Sequence, residues 1–199
     1  MRATKAHEKA MLRVMSYCLC TKDQLEIMKP HDEWNGILSE NYVFEISGVS
    51  DSNYAKDSET RKSVSGYTTF LNEALITAKS KMQECVTLPV TQAELVAVTK
   101  CMQDMLYIKN VMELMGLKVK LLMKVEIDNK GAKDIINNWS VGGRTRHIRV
   151  RFNFLQELKE DGVIKVQWIS THDNCADILT KNLPVKVFVK YAMKLFSDK

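Results

Sequence analysis

The chain has 199 residues, 45% hydrophobic and 27% charged, with a net charge of +5. That length suits one domain plus an appendage, and the composition excludes a disordered or low-complexity chain. No apolar run is long enough to span a bilayer and the N-terminus lacks a signal-peptide core, which excludes the membrane classes. The odd set Cys18, Cys20, Cys85, Cys101 and Cys175, without CxxC spacing or a Cys/His cluster, excludes a disulfide framework or zinc site and fits cytosol or nucleus.

The first segment, "TKAHEKAMLRVMSYCL", is helical by pattern, with Ala10, Leu12, Met15 and Leu19 as its apolar stripe, and the turn-rich "KPHDEWNG" reads as a linker. From Tyr42 the period changes. "YVFEISGVSDS" alternates as a strand and ends at Asp51, and "NYAKDSETRKS" is a polar loop. "VSGYTTFL" and "ALITAKSKM", joined by Asn72 and Glu73, read as a hairpin.

"TLPVTQAELVAVTKCMQDMLYIKNVMELMG" is a long helix. Thr91 and Glu94 fit a capping box, Gly116 is the stop, and Val98, Met102, Met105, Ile108, Met112 and Met115 form a core-facing stripe. A strand alternating from Leu121 ends at Asp128. Asn129 follows as a turn or N-cap residue, and a short helix runs to about Trp139. "SVGGRTRH" is a Gly- and Arg-rich loop, "IRVRFNFLQELKEDG" a helix stopped by Gly162, and "VIKVQWIS" a strand with Trp168 in the core. "NCADILTKNL" and "VKVFVKYAMKLF" close the chain as helices around Pro184.

The order βββαβα(α)βα predicts three antiparallel strands, then parallel β-α-β units, in a mixed α/β sheet flanked by helices. Four acids stand at special places in it. Asp51 and Asp128 end strands, which is where α/β proteins collect ligands; Glu94 and Asp177 lie in first turns of helices. If adjacent, four carboxylates need a cation, and hard oxygen donors select Mg²⁺ or Mn²⁺. Two such ions ~4 Å apart stabilise the attacking and leaving oxygens of a phosphoryl transfer. The competing reading is that Glu94 and Asp177 complement helix dipoles while Asp51 and Asp128 begin turns.

"SDSNYAKD…RKSVSGY", "VTLPVTQAELVA", "IDNKGA", "RTRHIRVRFNFLQEL" and "CADILTKNLP" together, in this order, resemble the ribonuclease H domain at the end of copia-type retrotransposon polyproteins. The resemblance runs from about Val43 to the C-terminus. It implies a ribonuclease H-like five-stranded mixed sheet over residues 41–199. Residues 1–40 resemble a helical remnant of the preceding reverse transcriptase and its connection, so the chain reads as a piece of a polyprotein. The implied activity is metal-dependent hydrolysis of the RNA strand of RNA–DNA hybrids, with Asp51, Glu94, Asp128 and Asp177 holding two Mg²⁺ (or Mn²⁺) ions. Gln92, Leu95, Pro89 and Ala78 depart from the family's usual acid, aromatic, Ser and Trp, and none of them is an implied ligand.

His172, five positions before Asp177, is a candidate catalytic histidine beside the bland reading of a solvated loop residue. Arg144, Arg146 and His147 are candidates for phosphate contact, because guanidinium forks match phosphate oxygens; the alternative is an ordinary basic loop. The implied partners are the hybrid and the reverse transcriptase portion of the parent polyprotein, and the implied location is the cytoplasm, in a virus-like particle, or the nucleus. Two competing functions remain in play: a catalytically degenerate nucleic-acid-binding or structural module, and a fold relative that cuts DNA.

Overall fold

A computed structural model describes residues 4–21, 42–87, 89–137 and 146–195. The strands are β1 (Val43–Phe44), β2 (Ile46–Asn53), β3 (Val64–Leu71), β4 (Ala74–Met82), β5 (Lys118–Val119), β6 (Met123–Ile127) and β7 (Ile164–Trp168). The helices are α1 (Lys5–Cys20), α2 (Val90–Leu114), α3 (Lys130–Asn137), α4 (Arg146–Glu160) and α5 (Val185–Leu195). Two 3₁₀ turns, Thr171–Asp173 and Cys175–Leu179, lie between β7 and α5.

The main sheet has five strands in the order β4-β3-β2-β6-β7, antiparallel from β4 to β2 and parallel from β2 to β7. This is the expected mixed sheet. The expected first strand is broken at Glu45, and its leading piece β1 pairs with β5 in a separate two-stranded sheet. The alternation read back to Leu121 overshoots: Leu122 has φ +64°, and pairing starts at Met123.

The turns follow the residues placed in them. Asn72 and Glu73 both have positive φ (48° and 69°), as a two-residue hairpin turn that matches strand twist requires. Gly116 ends α2 at φ +78°. There the amide of Leu117 donates to the carbonyl of Met112 at 3.0 Å and that of Gly116 to Glu113 at 2.9 Å, satisfying carbonyls the helix leaves open.

Each face of the sheet is covered. Ile46, Val125, Ile127 and Val166 pack against Leu95, Val98, Met102 and Met105 of α2, with Ile136 of α3 and Leu155 of α4. Gly48 lets α2 approach closely: a Cβ there would lie 2.5 Å from Cys101 Sγ and 2.8 Å from Met105 Sδ. On the opposite face Val49 and Leu75 meet Cys175, Ala176, Tyr191 and Leu195. The methionine stripe is core at Met102, Met105 and Met112, but Met115 is exposed past the last turn. Helix α1 leaves Met11, Leu12, Val14, Met15 and Leu19 exposed, and Tyr17 sets its ring edge-on to Phe188 of α5 at 5.4 Å.

Candidate active site

Register brings the first two acids together. Ser50 pairs with Ile127 across the parallel β2–β6 ladder, so the next residues, Asp51 and Asp128, stand side by side at its end. Along β2 side chains alternate. Gly48 faces α2, while Asp51 points with Val49 to the opposite face, where the turn Cys175–Leu179 lies. Glu94 reaches the same strand end from α2. It does not close a capping box: the N-cap is Pro89, with no side-chain hydrogen bond, and Thr91 already lies within the helix. Glu94 is instead buried to 3% exposure beside the ends of these inner strands. One carboxylate oxygen from each of Asp51, Glu94 and Asp128 lies within 4.8 Å of the others.

Asp177 comes in from the turn Cys175–Leu179, which is a single 3₁₀ turn and not the expected helix. It joins Asp51 through a lysine. The Lys181 ammonium donates to Asp177 Oδ1 at 2.6 Å and to Asp51 Oδ1 at 3.2 Å. The Thr180 hydroxyl donates to Asp51 Oδ2. Fully buried Asn174 pins the turn to the strand, donating to the carbonyl of Ser50 at 3.2 Å and accepting from the amide of Ala176 at 3.1 Å. Gly66, opposite Asp51 on β3, provides the clearance; a Cβ there would fall 2.5 Å from Thr180 Cγ2 and 2.8 Å from Leu179 Cβ.

The electrostatics are those of crowded, partly dry carboxylates. Burial pushes Glu94 up to about 8; Asp51 and Asp128 repel its charge further, and Lys181 pulls the other way. Burial also raises Asp177, to about 6, with Asp51 and Asp128 adding repulsion and Lys181 opposing. Burial works against the charge on Lys181, but Asp177 and Asp51 outweigh it and hold the ammonium above its ordinary pKa.

The donor set suits a hard divalent cation. It is all oxygen, and Glu94 Oε2 and Ser52 Oγ are buried with no hydrogen-bond partner, an orphaned pair that water or an ion would satisfy. The three oxygens already lie within 4.8 Å of one another, and an ion held at ~2.1 Å from each would draw them closer still.

The other sequence candidates fare differently. His172 is exposed in the turn Thr171–Asp173, outside the three-carboxylate group. Its main chain is what is held: the carbonyl accepts from Lys190 at 2.7 Å. Arg144 lies outside the described residues, and Arg146 and His147 are the first residues of α4. Trp168 is not core. It is 41% exposed, its indole N–H donates to the carbonyl of Asp128 at 2.9 Å, and Lys130 lies over its ring at 4.7 Å. Of the departures from the family pattern, Leu95 is buried in the core and Ala78 is exposed on β4.

Sequence reasoning missed Asn174, Thr180 and Lys181. Asn174 carried a signal, an Asx residue ahead of a helical turn. Lys181 carried a weaker one: four residues past Asp177, it is at ion-pair spacing.

No family model matches the chain. It is 36% identical over 143 residues to the retrovirus-related Pol polyprotein from transposon TNT 1-94 of Nicotiana tabacum, a match covering 72% of this chain and 11% of that one. It is 28% identical over 193 residues to the Pol polyproteins of transposons RE1 and RE2 of Arabidopsis thaliana, covering 96% of this chain and 12% of theirs. The chain is homologous to retrotransposon Pol polyproteins. It spans 11–12% of the length of these relatives.

Among solved structures it resembles LC11-RNase H1, isolated from compost, with a TM-score of 0.52 at 16% identity over 68% of this chain and 92% of that one. It also resembles the N-terminal RNase H domain of a Mycobacterium tuberculosis protein, at 0.51 and 13% over 75% and 96%. The RNase H1 of Halobacterium salinarum scores 0.50 at 12% over 68% and 94%. The fold of this transposon Pol homologue is the RNase H fold, and LC11-RNase H1 has also been solved with an RNA/DNA hybrid.

Proposed function

We propose that this chain is a divalent-metal-dependent endonuclease that hydrolyses the RNA strand of RNA–DNA hybrids during retrotransposon reverse transcription. The observation that carries the reading is the meeting of Asp51, Glu94 and Asp128 at one strand end, with Glu94 Oε2 buried and unpartnered. It is supported by the RNase H fold, by Pol homologues, and by a fold neighbour solved with a hybrid.

In this reading Asp51, Glu94 and Asp128 hold one cation, and Asp51 with Asp177 contributes to a second. Such ions, when bound, activate the attacking water and neutralise charge on the departing oxygen. Asn174 and Thr180 keep Asp177 and Asp51 in mutual reach, and the Trp168 indole fixes the main chain at Asp128. Arg144, Arg146 and His147 contact phosphates, and His172, at the rim, assists proton transfer or product departure. RNA is told from DNA by its 2′-hydroxyls across a wide minor groove, so base sequence matters little.

Residues 41–199 form the nuclease domain, and residues 1–40 belong to the end of the preceding reverse transcriptase region. The location is the cytoplasm, in a virus-like particle, or the nucleus; a tagged chain found in a secretory compartment contradicts this. Among the described residues no helix is long and apolar enough to cross a membrane.

The test is cleavage of three labelled duplexes (hybrid, DNA and RNA) with Mg²⁺ and with EDTA. The reading expects Mg²⁺-dependent cuts in the RNA of the hybrid alone, leaving 3′-hydroxyl ends. Cutting of duplex DNA identifies a fold relative with another substrate. Binding without cutting identifies a degenerate module.

A further inference from the structure

We propose that Lys181 is a tethered cation that occupies the Asp51–Asp177 pair in the metal-free protein, so that a second divalent ion enters the site only by displacing it. The inference rests on the metal-centre reading above and concerns the order and cost of filling that centre.

The site is lopsided. On one side, Asp51, Glu94 and Asp128 offer oxygens within 4.8 Å of one another, and Glu94 Oε2 has no partner. On the other, the Lys181 ammonium already bridges Asp177 Oδ1 and Asp51 Oδ1 at 2.6 and 3.2 Å. A cation meets no ammonium ion-paired to Glu94 or Asp128 on the first side, among the described residues. On the second it meets a positive charge held where it would itself sit, and the two cannot share the same pair of oxygens.

The tether can let go without disturbing the fold. Its backbone is fixed independently of the ammonium: the Lys181 amide donates to the Asp177 carbonyl at 2.9 Å. The Thr180 carbonyl accepts from Asn53 Nδ2 at 3.1 Å and from Lys56 at 2.6 Å. The Lys181 side chain is about one-third exposed (32%), on a four-carbon stem, so rotation carries its charge into water. Until then it lets Asp51 and Asp177, both buried, stay close without a metal. The two ions should therefore bind with unequal affinity, the second set by the strength of two ion pairs.

The test is Mn²⁺ binding to the full chain at fixed pH, followed by electron paramagnetic resonance of the free ion. Parent, Lys181→Met and Lys181→Arg are compared, with Asp128→Asn as a reference for the first site. The parent is expected to show a tight and a weak class, or a tight class alone. Lys181→Met should tighten or reveal the weak class by about tenfold, equivalent to ~1.4 kcal/mol, and tighten the first class by less, since of that group the ammonium bonds only Asp51. Lys181→Arg should keep the parental pattern. A weak class unchanged or weakened in Lys181→Met overturns the proposal. Should Lys181→Met not fold, Lys181→Gln removes the charge and retains polarity, with the same two outcomes. A tight class that survives intact in Asp128→Asn overturns the metal-centre reading itself, a separate failure visible without any Lys181 variant.

Discussion

Glu94 offers the sharpest physical test, because it is a buried acid whose ordinary ionised state the fold opposes. Burial, then repulsion from Asp51, raise its pKa from 4.5 to about 8. A raised acid contributes stability below its unfolded pKa and loses it as pH climbs through the folded value. In EDTA the protein should therefore weaken between about pH 4.5 and 8. A tenfold difference in proton affinity between the folded and unfolded chain is worth about 1.4 kcal/mol, so the full loss has a ceiling on the order of 5 kcal/mol, reduced by whatever water or relaxation reaches the carboxyl. At roughly 2–4 °C per kcal/mol for a domain of this size, the ceiling is a fall of ~10–20 °C in Tm. Asp177, raised to about 6, contributes in the same direction at lower pH. Glu94→Gln keeps the shape and removes the charge. Its Tm should match the parent near pH 5, keep the Asp177 part of the slope, and stay flat from pH 6 to 8. Excess Mg²⁺ should flatten the parent's curve over that window, since an ion favours the ionised carboxylates and stabilises by mass action. Thermal melts by circular dichroism at half-unit pH intervals decide it. Parallel curves for parent and Glu94→Gln in EDTA refute the reasoning.

Three further outcomes are expected. Arg144→Ala with Arg146→Ala should weaken hybrid binding and lower the slope of log affinity against log salt by about one for each phosphate no longer gripped, measured by fluorescence anisotropy across a salt series; an unchanged slope makes the loop merely solvated. Gly66→Ala should push the turn carrying Asp177 and Thr180 off the sheet, costing about 1–3 kcal/mol and most hybrid cleavage; a variant with parental Tm and rate contradicts that packing. A chain beginning at residue 41 should still melt cooperatively, because Met11, Leu12, Val14, Met15 and Leu19 of α1 are exposed and add little to the core; loss of cooperative melting makes that segment part of the domain.

The elements of this fold were legible because their periods and punctuation agree. The strand alternation, Asn72–Glu73, Gly116 and Gly162 all fall where turns and helix stops occur. The strand-end acids were legible too, since register needs only neighbouring parallel strands to set Asp51 beside Asp128. Glu94 was named through the resemblance of "TQAEL" and its place early in the helix, while the capping-box reading beside it was mistaken. Spacing suggested a capping box, whereas a Pro N-cap frees the carboxyl to turn inward. Trp168 was misplaced because an aromatic in a strand reads as core, and nothing local reveals that β7 is the outer strand of the sheet. Lys181 and Asn174 carried only local signals, and what they do at the site was missed for a related reason. Their roles come from contacts across more than a hundred residues, to Asp51 and Ser50, and no local period encodes them.

The central claim is that these acids perform hybrid cleavage, and the rate of RNA cutting by Asp128→Asn tests it most directly. Asn preserves size and shape while removing the charge, and the main-chain bond from Trp168 to residue 128 does not involve the carboxyl, so circular dichroism of the variant should match the parent. Labelled hybrid is incubated with parent and variant under single-turnover conditions in saturating Mg²⁺. The account predicts efficient cutting by the parent, none by the parent in EDTA, and a loss of at least about a hundredfold in the folded variant, the scale expected when one charge-stabilising group is removed from a reaction centre. A folded Asp128→Asn chain that cuts the hybrid at the parental rate contradicts it.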